Sequence, residues 1–127
     1  MIVVDSSVWV EFFRGSEAIV RRLSALIDDD QVALASPVRL EILAGAPHRE
    51  IPRLQRVLGA LPQVRPDEGL WSLLESWIVR ASASGQRFGI GDLLIAGVAA
   101  RAGAAVWSLD GDFTRMAKLG FVTLAPR

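Results

Sequence analysis

The sequence predicts an α/β fold, in which a three-layer α/β/α sandwich is built around a short central parallel sheet. Short apolar segments alternate with longer helical patterns along the chain, as in parallel sheets that are covered by helices. The first apolar segment, residues 2–4, is followed directly by Asp5, Ser6 and Ser7, and functional groups collect beyond the carboxyl ends of strands in such sheets. Because the 127 residues contain no repeat or linker, we expect a single domain over 1–127.

Hydroxyl side chains before apolar-periodic segments mark the helix starts in the first half of the chain. We expect Ser6 or Ser7 to cap the first helix and Ser16 to cap the second. Ser36 is the expected cap of the third helix, since Pro37 follows it at the first helical position. The predicted elements are a strand at 2–4, helices at about 8–14 and 17–27, a strand at 31–35, helices at about 37–45 and 49–59, and a minor strand at 61–64.

The second half of the chain is predicted to contain three helices and two strands. Its longest helical pattern carries large apolar side chains such as Leu70, Trp71 and Trp77, whereas the next is rich in small apolar residues and stops at Gly103. The predicted elements are a helix at 67–83, a loop at 84–89, a helix at 90–102, a strand at 104–108, a short helix at about 111–119 and a last short strand at 121–124.

The composition excludes several classes of protein. There are no cysteines, so disulfides and thiolate metal sites are impossible, and a reducing cytoplasm is the expected compartment. The residues before Asp5 are too few for a signal peptide, and no apolar run approaches the roughly 20 residues that span a bilayer. We therefore expect a soluble protein. Its 14 basic and 14 acidic residues balance, but if four acids form one cluster, the rest of the chain is mildly basic.

Four acidic residues occupy notable places in the predicted fold: Asp5, Glu41, Asp92 and Asp110. Each also has a structural explanation, because Asp5 can end a strand, Asp92 can favour a helix N-terminus, Asp110 can form a turn and Glu41 can face solvent. Asp5 and Asp110 nevertheless follow predicted strands, while Glu41 and Asp92 lie near helix starts. These positions share one edge of a parallel sheet with right-handed crossovers, so we expect the four carboxylates to converge there.

Four carboxylates in one pocket repel one another, and a hard divalent cation relieves that repulsion. Mg²⁺ prefers oxygen ligands, whereas the single histidine, His48, and the lack of cysteine argue against a dedicated zinc site. Centres of this kind activate water and stabilise the oxygens of an in-line phosphoryl displacement, which is the chemistry of a nuclease. We expect Ser6, Ser108 and Asp112, which lie beside the acids in sequence, to support the site.

Taken together, these segments resemble the PIN-domain ribonucleases, specifically the VapC toxins of bacterial and archaeal toxin–antitoxin pairs. The matching segments are VVDSSVW from Val3, Glu41 in the helix that begins at Ser36, GIGDLLIA from Gly89 and SLDGDF from Ser108. The resemblance implies a Mg²⁺- or Mn²⁺-dependent endoribonuclease that is toxic to its own cell until a VapB antitoxin neutralises it. It also implies a homodimer within a toxin–antitoxin hetero-oligomer.

The same resemblance implies a role for each acid. Asp5, Glu41, Asp92 and Asp110 correspond to the acidic quartet of the family, and Asp112 matches an additional acid found in many members. Asp5 and Asp92 are then the main metal contacts. Glu41 or Asp110 orients the attacking water or accepts its proton.

RNA binding requires positive groups around the acids. The candidates are Arg14, Arg87, Arg115 and Lys118, each near a segment that should approach the acidic edge of the sheet. Arg39 is less favoured, because its position two residues before the acidic residue of the same helix can point away from the site.

A partner groove is expected at the first predicted helix. This helix is apolar nearly all round, with Trp9, Phe12 and Phe13, and one domain can scarcely bury all of these side chains. By resemblance, the partner is an antitoxin whose C-terminal segment crosses the groove and reaches the acids.

Three alternatives stay open at this point. A PIN nuclease can act in RNA maturation without an antitoxin. A receiver-like phosphoacceptor domain also has acids around an α/β sheet, but it needs a lysine after a late strand, and the single lysine here, Lys118, lies in the following helix. A phosphatase with an aspartyl nucleophile normally has a second aspartate two positions after the first, where this chain has Ser7.

Overall fold

In the computed structural model, which describes residues 1–126, strands and helices alternate as the apolar pattern predicts. The single domain predicted over 1–127 includes Arg127, which lies outside the described residues. Within residues 1–126, no helix combines the length and the apolar character that crossing a membrane requires. The elements are β1 Ile2–Val4, α1 Ser6–Phe13, α2 Glu17–Asp28, β2 Val32–Ala35, α3 Ser36–Ala44, a 3₁₀ turn His48–Glu50, α4 Ile51–Gly59, β3 Gln63–Val64, α5 Gly69–Ala83, α6 Ile90–Arg101, β4 Ala105–Trp107 and α7 Gly111–Lys118.

The strands form a parallel sheet in the order β3, β2, β1, β4. In the centre of this sheet, Ile2 of β1 pairs with Val32 of β2 on one side and with Ala105 of β4 on the other. All of these strands run in the same direction, so their carboxyl ends share one edge. The α/β fold predicted from the sequence is confirmed.

The strand predicted at 121–124 is reduced to a single bridge. Leu124 pairs in parallel with Val106 of β4, next to the edge of the sheet. Phe121 and Val122, which the prediction placed in the strand, are instead buried against the hydrophobic core. Because their side chains pack inward, only the end of this segment runs alongside β4.

Helix α6 packs closely against α5, and this packing fixes the position of α6 at the carboxyl edge of the sheet. Residues 95–99 of α6 are all buried. A Cβ atom on Gly97 would lie 2.5 Å from Leu70 Cδ1 and 2.7 Å from Leu74 Cδ2, both in α5, so the close approach of the two helices depends on a residue without a side chain. This packing holds the first turn of α6, which contains Asp92, in a defined position.

The first helix is capped by Asp5, whereas the sequence had suggested Ser6 or Ser7 as the cap. Asp5 has an extended backbone, and its carboxylate accepts a hydrogen bond from Ser7 N at 3.4 Å. Both serines already lie inside the helix. Their hydroxyls are therefore free to bond elsewhere.

Two other predicted serine caps also form different bonds. Helix α3 begins at Ser36 itself, whose hydroxyl donates to Val64 O in β3 at 3.3 Å. Ser16 occupies the N-cap position of α2, but its hydroxyl donates to Glu11 Oε2 of α1 at 2.6 Å. In each case the hydroxyl donates to an acceptor on a neighbouring element, and within residues 1–126 neither helix has a side-chain cap.

Candidate metal centre

Two strands and two helix N-termini meet at the carboxyl edge of the sheet. Asp5 directly follows β1, and its backbone N–H donates to Trp107 O at the end of β4, at 2.9 Å. Asp110 is the N-cap of α7, where its Oδ1 accepts a hydrogen bond from Asp112 N at 2.9 Å. Asp92 lies in the first turn of α6. The N-terminal ends of α6 and α7 carry partial positive charge, which favours carboxylates at these positions.

Asp5 is the one buried charged residue within residues 1–126, with 4% of its surface exposed. Its Oδ2 atom accepts hydrogen bonds from Ser7 Oγ at 2.7 Å and from Ser108 Oγ at 2.8 Å. The other oxygen, Oδ1, has no hydrogen-bond partner within residues 1–126. One carboxylate oxygen is thus held in place by hydroxyl donors, and the second remains available to a ligand.

The two serines that hold Asp5 also join the β1 edge to the β4 edge. Their hydroxyl oxygens lie 3.3 Å apart. Leu109 N donates to Ser7 Oγ and Asp110 N donates to Ser108 Oγ, both at 3.0 Å. Ser108 was expected beside the acids, whereas Ser7 was expected only as a possible cap of the first helix. The only local signal for Ser7 is a second hydroxyl two residues after a strand-ending carboxylate.

Three carboxylates form the tightest group of possible ligands. Each of Asp92, Asp110 and Asp112 offers an oxygen, and these oxygens all lie within 4.8 Å of one another. The pKa of the Asp92 carboxyl is raised to about 7, first by burial and then by the negative charges of Asp110 and Asp5, and further by a hydrogen bond shared with Asp112. The carboxylates of the cluster therefore repel one another, and this repulsion is weaker when Asp92 carries a proton.

Asp112 has a different partner on its other side. Arg115 Nη2 lies 2.7 Å from Asp112 Oδ1, and this hydrogen-bonded guanidinium lowers the pKa of the Asp112 carboxyl below its usual value. Arg115 also donates to Gln86 Oε1 at 3.1 Å and stacks over the Phe88 ring, 4.5 Å from its centroid. One side of the acidic cluster is thus neutralised by a fixed arginine.

Glu41 lies beside the cluster but outside its tightest part. Its Oε1 atom accepts a hydrogen bond from Ser6 Oγ at 3.0 Å. A Cβ atom on Gly91 would lie 3.4 Å from Glu41 Oε2, which places the carboxylate next to the start of α6. The carboxylates of the predicted quartet therefore face the same edge, although the closest trio includes Asp112 in place of Asp5 and Glu41.

The donor set fits a hard divalent cation. It consists of the carboxylate oxygens of Asp92, Asp110 and Asp112, with buried Asp5 near enough to raise the pKa of Asp92, and Mg²⁺ and Mn²⁺ favour such ligands. His48 is an exposed residue of the 3₁₀ turn and has no place in this group. The arrangement can hold a cation against a phosphate group at the mouth of the sheet.

The predicted RNA-binding cations lie at different distances from the acids. Arg115 contacts the cluster directly through Asp112, while Arg87 is exposed in the loop before α6. Arg14 is exposed and pairs with a glutamate of its own helix. Lys118 lies in the last turn of α7, about 10 Å along the helix axis from the acidic N-terminus. Arg39 donates to Gln63 Oε1 at 3.3 Å and so points toward β3, as anticipated.

A groove of about 630 Å³ lies between α1 and the segment from α3 to α4. Its apolar lining includes Val10, Phe13, Ile42 and Leu54, and Glu41 lies along its wall. The groove therefore adjoins the acidic edge.

The prediction that Trp9 lines this surface is wrong. Trp9 is 2% exposed and belongs to the core, and Phe12 packs against the core as a partly buried residue. Phe13, at 37% exposure, does line the groove together with Val10. The helix turns 100° per residue, so residues 9 and 12 face inward while 10 and 13 face outward. A sequence that is apolar on both faces does not reveal which face is buried.

Comparison with known proteins extends these observations. The family model described as PIN domain matches residues 2–119. The chain is 34% identical to VapC ribonuclease Mb1587 of Mycobacterium bovis and to ribonuclease VapC11 of Mycobacterium tuberculosis, and in each case 94% of this chain and 93% of the relative are covered. Among solved structures, VapBC2 from Rickettsia felis bound to a promoter DNA fragment has a TM-score of 0.81 at 16% identity, covering 98% of both chains. VapC20 of Mycobacterium tuberculosis, a toxin that cleaves the sarcin–ricin loop, has a TM-score of 0.71 at 19% identity, covering 99% of this chain and 100% of that chain.

Proposed function

The chain belongs to the PIN-domain family, and from that premise we propose that it is a metal-dependent endoribonuclease, the toxin of a type II toxin–antitoxin pair. The observation that carries the proposal is the meeting of Asp5, Asp92, Asp110 and Asp112 at one edge of the sheet. Ribonuclease relatives at 34% identity support the activity and its RNA substrate. We propose that the protein acts as one domain in the cytoplasm, where RNA is its substrate.

Asp5 and Asp92 are the residues that we assign as main ligands of Mg²⁺, or of Mn²⁺ in its place. Asp110 and Asp112 complete the oxygen donors of the trio, and Glu41, beside Gly91 at the start of α6, is the further candidate from the side of α3. When bound, such a cation polarises a phosphate and lowers the pKa of water. An all-carboxylate site suits that role, because the negative charge of the cluster is otherwise uncompensated.

We assign proton transfer, orientation of Asp5 and phosphate binding to side chains of the protein. Glu41 is exposed and held by Ser6, so it is placed to orient a water molecule and to accept its proton, with Asp110 as the second candidate for this role. Ser7 and Ser108 keep Asp5 in one orientation. The phosphates next to the cleaved bond are bound by Arg115, which contacts the acidic trio, and by Arg87, with Arg14 and Lys118 at the far ends of their helices.

The groove beside α1 is the proposed site of a VapB-type antitoxin. Val10 and Phe13 supply exposed apolar surface, and Arg14 and Arg53 supply charge. Because Glu41 lines the same groove, a peptide that fills it reaches the acids and blocks access to them. The VapBC complexes among the similar folds support this partner and a homodimer within the assembled pair.

The other interpretations have less support. Lys118 lies at the end of α7 that is remote from the acids, whereas a receiver domain needs a lysine beside them. At the position of the second aspartate of a phosphatase, Ser7 donates a hydrogen bond to Asp5 Oδ2. This contact occupies an oxygen of the would-be nucleophile.

Cleavage of purified RNA with and without Mg²⁺ tests the proposed function. The wild-type protein should cut total RNA with Mg²⁺ and stop when a chelator is added. Asp5→Asn and Asp92→Asn should each lose at least roughly a hundredfold in rate, because even groups that only support metal ligands contribute about 10- to 100-fold. Asp28→Asn, a change of an exposed carboxylate at the far end of α2, is the matched control and should cut normally.

Two results would contradict the proposal. The first is cleavage by Asp5→Asn or Asp92→Asn at the wild-type rate, with both variants folded. The second is a wild-type protein that is folded but leaves RNA intact at every Mg²⁺ or Mn²⁺ concentration.

A further inference from the structure

A second cavity, of about 310 Å³, shares no lining residue with the groove beside α1. It is bounded by α5, by the loop at 84–89 and by the start of α6. Ile78, Phe88 and Ile90 form apolar walls, and Ser82 and Gln86 add polar groups. A pocket of this size, mostly apolar with a few polar groups, has the composition of a small-ligand site.

A short chain of side-chain contacts connects this cavity to the carboxylates. Gln86, in its lining, accepts a hydrogen bond from Arg115, and Arg115 pairs with Asp112 of the acidic trio. In α6, Ile90 lies two residues before Asp92 and on the cavity wall. An occupant of the cavity that contacts Gln86 is therefore linked to the acidic trio through one further side chain, Arg115.

The polar groups of the cavity are arranged as donors. The Oε1 atom of Gln86 is occupied by Arg115, so its Nε2 group, which has no partner within residues 1–126, is left to donate. Arg87, also in the lining, is exposed and offers a guanidinium group. Donors and apolar walls together match a flat ring that carries acceptor atoms at its edge and is linked to an anion.

We propose that this cavity binds one nucleobase of the RNA, next to the phosphate that is cleaved. Single-stranded RNA is recognised by bases that leave the stack, rest on apolar or aromatic side chains and form hydrogen bonds with their edges. Here Ile78 and Ile90 contact the base faces, Gln86 Nε2 donates to an acceptor on its edge, and Arg87 binds the adjoining phosphate. This inference rests on the proposed ribonuclease function and adds a determinant of where the RNA is cut.

A second copy of the chain is the competing occupant, since Ile90 is 64% exposed and Ile78 also faces solvent. The charge of the rim favours RNA. Arg87 and Arg115 both lie beside the cavity and suit a polyanion, whereas no carboxylate is among its lining residues.

The test uses a variant whose new side chain fills the cavity, and it compares the cleavage rates of RNA with and without a base at one position. Ser82→Phe places a ring in the cavity, and Val79→Phe, three residues earlier on the same helix and outside the lining, is the matched control. Cleavage ends from a pool of random-sequence RNA first define a good substrate. Each nucleotide flanking the cleaved bond is then replaced in turn by an abasic ribose.

We expect one abasic position to lower the wild-type rate by on the order of tenfold, as loss of a stacked base does elsewhere. Ser82→Phe should lose a similar factor on the intact RNA and almost nothing further on that abasic RNA. Ile78→Ala, which removes one wall, should show the same pattern more weakly. Val79→Phe should cut both substrates as the wild type does.

Several outcomes would overturn the inference. One is cleavage of the intact RNA by Ser82→Phe at the wild-type rate. Another is a cleavage rate for this variant that falls below the wild-type rate by the same factor on intact and on abasic RNA. A change of oligomeric state in Ser82→Phe, measured by light scattering, that accounts for its loss of activity would show that the cavity is a subunit interface.

A binding measurement separates this inference from the proposed function. If the folded wild type cleaves no RNA, the function fails, and the cavity is tested by NMR titration with the four nucleoside monophosphates and with ribose 5-phosphate. Shifts at Ile78 and Ile90 that require a base, and that Ser82→Phe removes, support the cavity. Equal shifts with ribose 5-phosphate, or none, overturn it.

Discussion

The two sides of the acidic edge surround their aspartates with different groups, hydroxyl donors on one side and carboxylates on the other. On the β1 side, buried Asp5 accepts hydrogen bonds from two serine hydroxyls. On the helix side, Asp92 lies among three other carboxylates and its pKa is raised to about 7, first by burial and then by Asp110 and Asp5. One carboxylate is surrounded by hydroxyl donors, whereas the other lies among like charges that raise its pKa.

This difference indicates a division of labour within one site. The hydroxyl donors around Asp5 hold its carboxylate in one orientation, which is the preorganisation that the proposed metal centre needs. The repulsion around Asp92 is relieved only by a proton or a cation. In the proposed metal centre, we therefore expect the affinity for the cation to come largely from the helix side and the geometry of its ligands from the strand side.

The largest effect on stability is expected from removing a donor to Asp5. Ser108→Ala should lower the free energy of unfolding by about 1.5–3 kcal/mol, the contribution of a hydrogen bond to a charged group, because the carboxylate stays buried. Urea unfolding at pH 7 measures the loss. Ser108→Thr keeps the hydroxyl and is the control that should recover most of it. Equal stability of the alanine variant and the wild type would remove the distinction between the two sides.

At Asp92, removing the negative charge is expected to raise the free energy of unfolding, which is opposite in sign to the effect of Ser108→Ala. In chelator, the native carboxyl with its raised pKa keeps a proton that the unfolded chain, with a pKa near 3.8, has lost. The free energy of unfolding should therefore fall as pH rises from about 4 to about 7. The change should be on the order of 1 kcal/mol, since the carboxyl is partly in solvent.

The Asp92→Asn variant shows whether this pH dependence belongs to Asp92. Without the ionisable carboxyl, the slope should disappear, and the metal-free variant should be more stable than the wild type at pH 8. Asp28→Asn should retain the wild-type slope. Identical pH profiles for Asp92→Asn and the wild type would show that the cluster does not store the proposed repulsion.

The smallest effect on stability is expected at Ser6. Its hydroxyl donates to Glu41, but both groups are accessible to solvent, so Ser6→Ala should change the free energy of unfolding by less than about 0.5 kcal/mol. The RNA cleavage rate should fall nevertheless, because Glu41 loses the contact that orients it. A loss of stability as large as that of Ser108→Ala would show that Ser6 belongs to the buried network instead.

Much of the framework could be predicted from local pattern. The apolar segment before Asp5 and the start of a helix near Asp92 place both acids at one edge, because parallel strands all end on the same side. The family resemblance stated from the sequence agrees with the match to the PIN-domain model.

The details that the sequence did not reveal depend on partners far along the chain. Ser7 lies 101 residues from Ser108, and nothing near Ser7 indicates that contact. The direction in which Trp9 points depends on how α1 packs against its neighbours, which an all-apolar helix does not encode. The position of Asp112 in the tightest trio follows from the cap of α7.

The most direct test of the two-sided site is calorimetric titration with Mn²⁺ at pH 6.5, in two buffers with different ionisation enthalpies. The wild type should bind the cation and release a proton, since Asp92 is largely protonated at this pH and must lose its proton to serve as a ligand. Asp92→Asn should bind much more weakly and release none, while Asp28→Asn should behave as the wild type does. Binding without proton release, or equal binding by the wild type and Asp92→Asn, would contradict the account.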